Sequence, residues 1–181
     1  MASHKLLPVL AAFAAQASAQ TASPPAVTPP ACSAPEHRQF DFWVGGWDVY
    51  PTGKDKIVAH SLIEKLYGGC TIRENWMPLS KSDGGSLNMY DPADKRWHQT
   101  WQDSQNGRVS FVGGLVDGKM VLVGDWKGMN GPGQDAIIRM TYSRNADGSV
   151  RQFGEQSTDF GATWSPNFDF TYRKSAPSPA M

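Results

Sequence analysis

The sequence predicts an all-β protein, a single antiparallel up-and-down β-barrel of about 8–10 strands spanning residues 36–174. Three observations lead there. Short runs rich in β-branched and aromatic residues follow one another from residue 46 onward, and no stretch sustains a helical period. The runs are separated by tight-turn signals such as Asn106-Gly107, Asp117-Gly118 and Asp147-Gly148. Finally, a meander of that many strands leaves two open edges unless it closes on itself. A β-sandwich is the alternative packing of the same strands.

The chain starts differently. His4 and Lys5 precede an apolar run from Leu6 to Ala15, and Ala17-Ser18-Ala19 is a small-x-small site. This is the layout of a secretory signal peptide over residues 1–19, with cleavage after Ala19 or Gln20. The run is too short for a membrane span, which needs about 20 residues. Residues 20–35 are rich in Pro, Ala, Ser and Thr, and cannot bury enough apolar surface to fold. They read as a flexible tether, and 175–181 as a flexible tail. An exported protein, periplasmic or extracellular, follows. In that oxidising setting Cys32 and Cys70 suit a disulfide pinning the tether to the barrel, two free thiols being the alternative.

Strands are expected near 46–51, 57–66, 70–77, 85–90, 96–103, 108–115, 119–126, 136–144, 149–157 and 163–173, with one helical turn around Glu36–Phe42 leading in. Seventeen basic and 17 acidic residues balance, and no basic block exists. Nucleic acid and anionic membrane surfaces are therefore not expected partners.

Phe40-Asp41-Phe42-Trp43-Val44-Gly45-Gly46-Trp47-Asp48-Val49 is the most distinctive run. Its Gly45-Gly46-Trp47 resembles the Gly-x-Trp element of lipocalin-like (calycin) barrels, whose tryptophan plugs the closed end. Three further stretches extend the likeness: Gly69-Cys70 with Glu74 and Trp76, Tyr90-Asp91-Pro92 followed by Trp97-His98-Gln99-Thr100-Trp101, and Asp147-Gly148 through Trp164. Together they resemble a group of uncharacterised bacterial exported proteins of lipocalin-like type. That resemblance implies a fold and leaves function open. Trp43 and Trp47 then read chiefly as core packing.

Ser157-Thr158-Asp159-Phe160-Gly161-Ala162-Thr163-Trp164 matches the Asp-box of sialidase-like propellers. A propeller repeats the box once per blade. Here it occurs once, so it reads as a structural hairpin and not as a glycosidase signature.

Alternation along the strands selects the interior. Taking faces with a large apolar residue as inward places Glu74, Trp76, Asn88, Tyr90, Gln99, Trp101, Arg139 and Glu155 inside. A buried glutamate must be paired or neutralised, and Arg139 is the partner expected for Glu74 or Glu155. A one-residue register error would turn every one of these side chains around. His98 falls on the outward face, and His37 and His60 lie elsewhere, so no metal site is expected. No cofactor is expected either: haem normally wants an axial ligand, for which only His98 is placed.

Three functions fit. The first is a barrel binding a small aromatic or amphipathic molecule among Trp76, Tyr90 and Trp101, oriented by Glu74, Asn88, Gln99 and Arg139. The second is a cofactor-free lyase, isomerase or hydrolase, with Glu74 or Glu155 as base, Arg139 stabilising negative charge and Tyr90 donating a proton. The third is a structural envelope protein whose barrel is filled by its own side chains. No nucleophile elbow, phosphate loop or dinucleotide fingerprint is present.

Overall fold

The computed structural model describes residues 30–80 and 82–176. The expected signal peptide, residues 20–29 of the expected tether and residues 177–181 of the tail lie outside them. Ten strands are formed: β1 (Gly45–Pro51), β2 (Ala59–Leu66), β3 (Thr71–Pro78), β4 (Gly84–Asp91), β5 (Arg96–Asp103), β6 (Arg108–Val116), β7 (Lys119–Trp126), β8 (Ala136–Arg144), β9 (Val150–Ser157) and β10 (Ser165–Lys174). Each pairs antiparallel with its neighbour in sequence, and β1 also pairs with β10, so one sheet closes into a lipocalin-like barrel. At the seam Trp47 faces Lys174 and Pro51 faces Phe170. Closure leaves no sheet edge, which is the advantage of a barrel over a two-sheet sandwich for a meander of this length.

The strand ends differ from expectation where a side chain holds the backbone in a turn. Thr163, expected to open the last strand, is retained by Asp159: its backbone N–H and its hydroxyl both donate to that carboxylate, at 2.9 and 2.6 Å. Ser149 is held likewise by Asp147. The Asp117-Gly118 hairpin has φ of 49° and 75°, the double positive φ of a type I′ turn, whose twist matches that of the strands.

One end of the barrel is plugged. In place of one helical turn, two short 3₁₀ turns, Pro35–Arg38 and Asp41–Trp43, lay the chain across this end. Phe40 and Trp43 are fully buried there and stack with ring centroids 4.9 Å apart. Tyr142 packs against both rings, and Trp97 meets Phe40 edge-on. Polar ties fix the plug. Trp47 Nε1 donates to Trp43 O at 2.7 Å, Trp97 Nε1 to Gln39 Oε1 at 3.0 Å, and Lys65 Nζ to Asp41 Oδ1 at 2.6 Å.

The Gly-x-Trp element has a local cause. Gly45 takes φ of +142°, and a Cβ there would collide with Lys174 Nζ. That ammonium sits 3.7 Å from the centre of the Trp47 ring and donates to Val44 O. Cys32 and Cys70 form a disulfide, Cα–Cα 5.0 Å, tying the chain ahead of the plug to the start of β3. The C-terminal side leaves from the same end, with Ser175 N donating to Gly46 O.

Candidate functional site

The other end is open and leads into a cavity of about 190 Å³. Five aromatic rings from four strands form its upper wall: Trp76 on β3, Trp101 on β5, Trp126 on β7, and Phe168 and Phe170 on β10. Deeper in it reaches Glu74, Gln99, Phe111, Met140, Tyr142, Gln152 and Tyr172. The barrel is therefore not filled by its own side chains.

Bare backbone makes room for several of these rings. A Cβ at Gly84 would lie 2.8 Å from Trp101 Cζ2, and one at Gly124 would lie 2.7 Å from Phe111 Cδ1. At Gly154 a Cβ would run into three carbons of the Phe168 ring. Each ring lies against a strand that has no side chain beneath it, and so stays out of the lumen.

The floor is polar and internally bonded. Glu74 is 5% exposed. Its two oxygens accept from Ser61 Oγ at 3.3 Å and Ser86 Oγ at 3.0 Å. Asn88 Nδ2 donates to Ser86 Oγ and to Ile72 O, and Gln99 Nε2 donates to Asn88 Oδ1 at 2.6 Å. A second chain runs from Tyr172 Oη to Gln152 Oε1 at 2.7 Å, and from Gln152 Nε2 to Tyr142 Oη at 2.9 Å. Burial pushes the Glu74 carboxyl up to about 7 from an ordinary 4.5, against the lowering effect of the Ser86 and Ser61 hydroxyls. Burial, reinforced by the nearby Glu74 charge, also raises Tyr142 and Tyr172, so both phenols stay neutral. Among the described residues, Trp101 Nε1 is buried without a hydrogen-bond partner.

The eight residues singled out from the sequence separate into four groups. Glu74, Trp76, Gln99 and Trp101 line the cavity. Asn88 is buried behind the floor, where it positions Gln99 and Ser86. Tyr90 faces inward at the plugged end and meets the buried His37 ring edge-on at 5.3 Å, away from the cavity. Arg139 and Glu155 point outward and correct the expectation that they lie inside. They pair with each other, Arg139 Nε to Glu155 Oε2 at 3.0 Å, and the guanidinium lies 4.0 Å above the Trp164 ring. The arginine partner expected for Glu74 is therefore not in the cavity, and a Glu–Arg catalytic pair is not assembled there.

The cause of the inversion is specific. On β8 both faces carry an isoleucine, Ile137 and Ile138, so apolarity alone does not choose between them; Ile138, Met140 and Tyr142 are the buried set. On β9 the large apolar residue, Phe153, faces outward under the Arg151 guanidinium, 4.9 Å from its ring centre. Gln152 and Gly154 face inward, the glycine because Phe168 occupies that space. Phe111, Trp126, Met140, Tyr142, Gln152, Phe168, Phe170 and Tyr172 also line the cavity and are not among the residues the sequence places there. The i, i+2 spacing of Phe168, Phe170 and Tyr172 is the signal that would have found the last three.

Two other places group side chains outside the cavity. Asp91, Asp94 and His98 bring ligand atoms within 4.8 Å of one another at the β4–β5 turn, a grouping that the scatter of histidines along the chain does not suggest. Each carboxylate already serves the turn: Asp91 accepts from Ala93 N, and Asp94 from Arg96 N and His98 Nε2. His98 faces outward as expected and does not reach the cavity. A second pocket beside the mouth, of about 580 Å³, is lined by residues of the β7–β8 loop, by Ser157 and Thr158, and by Phe160, which is 98% exposed. No described helix is long and apolar enough to cross a membrane. No family model and no curated protein match the chain.

Proposed function

We propose that this chain is an exported small-molecule-binding barrel, related to the lipocalin-like bacterial group whose Gly-x-Trp and companion motifs it resembles, and that its ligand sits in the aromatic mouth. One observation carries the reading: a closed barrel keeps an open, aromatic-walled cavity above a buried polar floor. Binding pockets combine apolar walls with a few placed polar groups in this way. An apolar cavity of about 150 Å³ holds benzene, so about 190 Å³ suits a ligand the size of one ring. A long acyl chain does not fit.

The Cys32–Cys70 disulfide and the signal-like layout of residues 1–19 support export. Among the described residues the enzymatic alternative retains Glu74 as the one carboxyl lining the cavity, beside two neutral phenols and without arginine support, so binding is the stronger reading. The test is native mass spectrometry of protein purified from its host, followed by thermal shift against single-ring compounds. A co-purifying small molecule, or a saturable shift abolished by Trp101→Ala, is expected. A bare protein that no compound in the series stabilises refutes the reading.

A further inference from the structure

The side chains around Glu74 include acceptors, phenols and π-faces, but no cation. Among the described residues no Lys, Arg or His lines the cavity. The groups facing the carboxylate are the Ser61 hydroxyl from β2, the Ser86 hydroxyl from β4, and two neutral phenols, Tyr142 from β8 and Tyr172 from β10. Trp76, on the same face of β3, lies 5.8 Å from the Phe170 ring and 6.4 Å from that of Tyr172. A buried carboxylate normally has a charged partner or gives up its charge. Here the chain supplies no described partner, and surrounds the approach to the carboxylate with ring faces whose quadrupoles attract cations.

Resting on the small-molecule reading above, we infer that the ligand is a small alkylated ammonium cation, whose charge pairs with Glu74 and whose alkyl groups pack against Trp76, Trp101, Phe170 and Tyr172. The donor count favours an alkylated nitrogen over a primary amine. A primary ammonium brings three N–H donors. Each Glu74 oxygen already accepts from one serine, which leaves one further lone pair on each, and Gln152 Oε1 accepts from Tyr172, so three N–H donors at one nitrogen are not all readily met. An alkylated ammonium presents mainly methyl and methylene surface and makes little demand on those acceptors. The empty carboxylate is held near neutrality by burial, so a bound cation displaces its proton to solvent below about pH 7.

The test uses isothermal titration calorimetry of the full barrel with choline and with its uncharged isostere, 3,3-dimethylbutanol. In the wild type at about pH 8 choline is expected to bind roughly tenfold tighter than the alcohol, the scale of a desolvated cation–π contact. The preference should shrink at about pH 6, where Glu74 is protonated, and in Glu74→Gln fall to the part that the ring faces alone supply, while the alcohol binds unchanged throughout. If the alcohol binds as well as choline at the higher pH, or the preference is undiminished in Glu74→Gln, the inference is wrong and the cavity reading stands. If neither compound binds, both fall. Should Glu74→Gln fail to fold, the pH comparison in the wild type decides alone: a preference that does not change with pH overturns the inference.

Discussion

Exchanging Glu74 for glutamine keeps the shape of the side chain and removes its ionisation. In the folded barrel burial pushes this carboxyl up to about 7, whereas its ordinary value is 4.5. The folded state therefore holds the proton more tightly than the unfolded chain. The stability this provides is complete below about pH 4.5, declines as pH rises, and is lost above about pH 7. A shift of this size corresponds to roughly 3 kcal/mol between the two limits. The amide cannot accept from both serines as the carboxyl does, and one weakened hydrogen bond costs about 1 kcal/mol. Glu74→Gln should thus be near neutral or slightly destabilising at about pH 4.5 and more stable than wild type by roughly 2 kcal/mol at about pH 8. For a domain of this size that is a rise in melting temperature of roughly 6 °C. Urea unfolding followed by tryptophan fluorescence, on both proteins across the interval, reads the difference directly. Parallel stability profiles would show that Glu74 is solvated or charge-paired, and would refute the argument from burial.

Three further outcomes follow from the geometry. Cys32→Ser with Cys70→Ser opens a loop with a sequence separation of 38; it should cost roughly 3–4 kcal/mol on the chain-entropy account, seen as a lower urea midpoint with the barrel's circular dichroism retained. Arg139→Ala removes a partly exposed outer ion pair and should cost no more than about 1 kcal/mol while leaving ligand affinity unchanged in calorimetry; a large loss of binding would place this residue in the cavity after all. Gly154→Ala puts a methyl group where the Phe168 ring lies and should turn that ring into the mouth. It should weaken a ring-sized ligand by roughly tenfold and cost about 1–3 kcal/mol of stability from overpacking, and crystallography of the variant would show the moved ring.

All ten strands could be read in advance because their connections are chemically marked. Asp117-Gly118 and Asn106-Gly107 allow positive φ, and the observed backbone uses it at Asp117, Gly118 and Asn106. The plug was legible for a related reason, since Gly45 takes φ of +142°, a backbone conformation that other residues rarely adopt. The cavity was legible only in part. Glu74, Trp76, Gln99 and Trp101 lie on strands where one face is clearly the more apolar. β8 and β9 lack that contrast, because outward residues such as Phe153 are covered by long arginine side chains instead of by the core. Local alternation has no access to such cross-strand cover. Nor does it show that a glycine is inward because a ring from the next strand needs its space.

The plug and the disulfide have a directional consequence. Cys32 is anchored at the start of β3 and Ser175 is bonded beside the start of β1, so both ends of the described chain emerge at the plugged end. The mouth, ringed by Trp76, Trp101 and Trp126, is at the opposite pole. The barrel thus has a back and a front. A carrier, a surface or a reporter joined to either end would hold the molecule by its back and leave the mouth unobstructed, so immobilised or fused forms should bind as the untethered protein does.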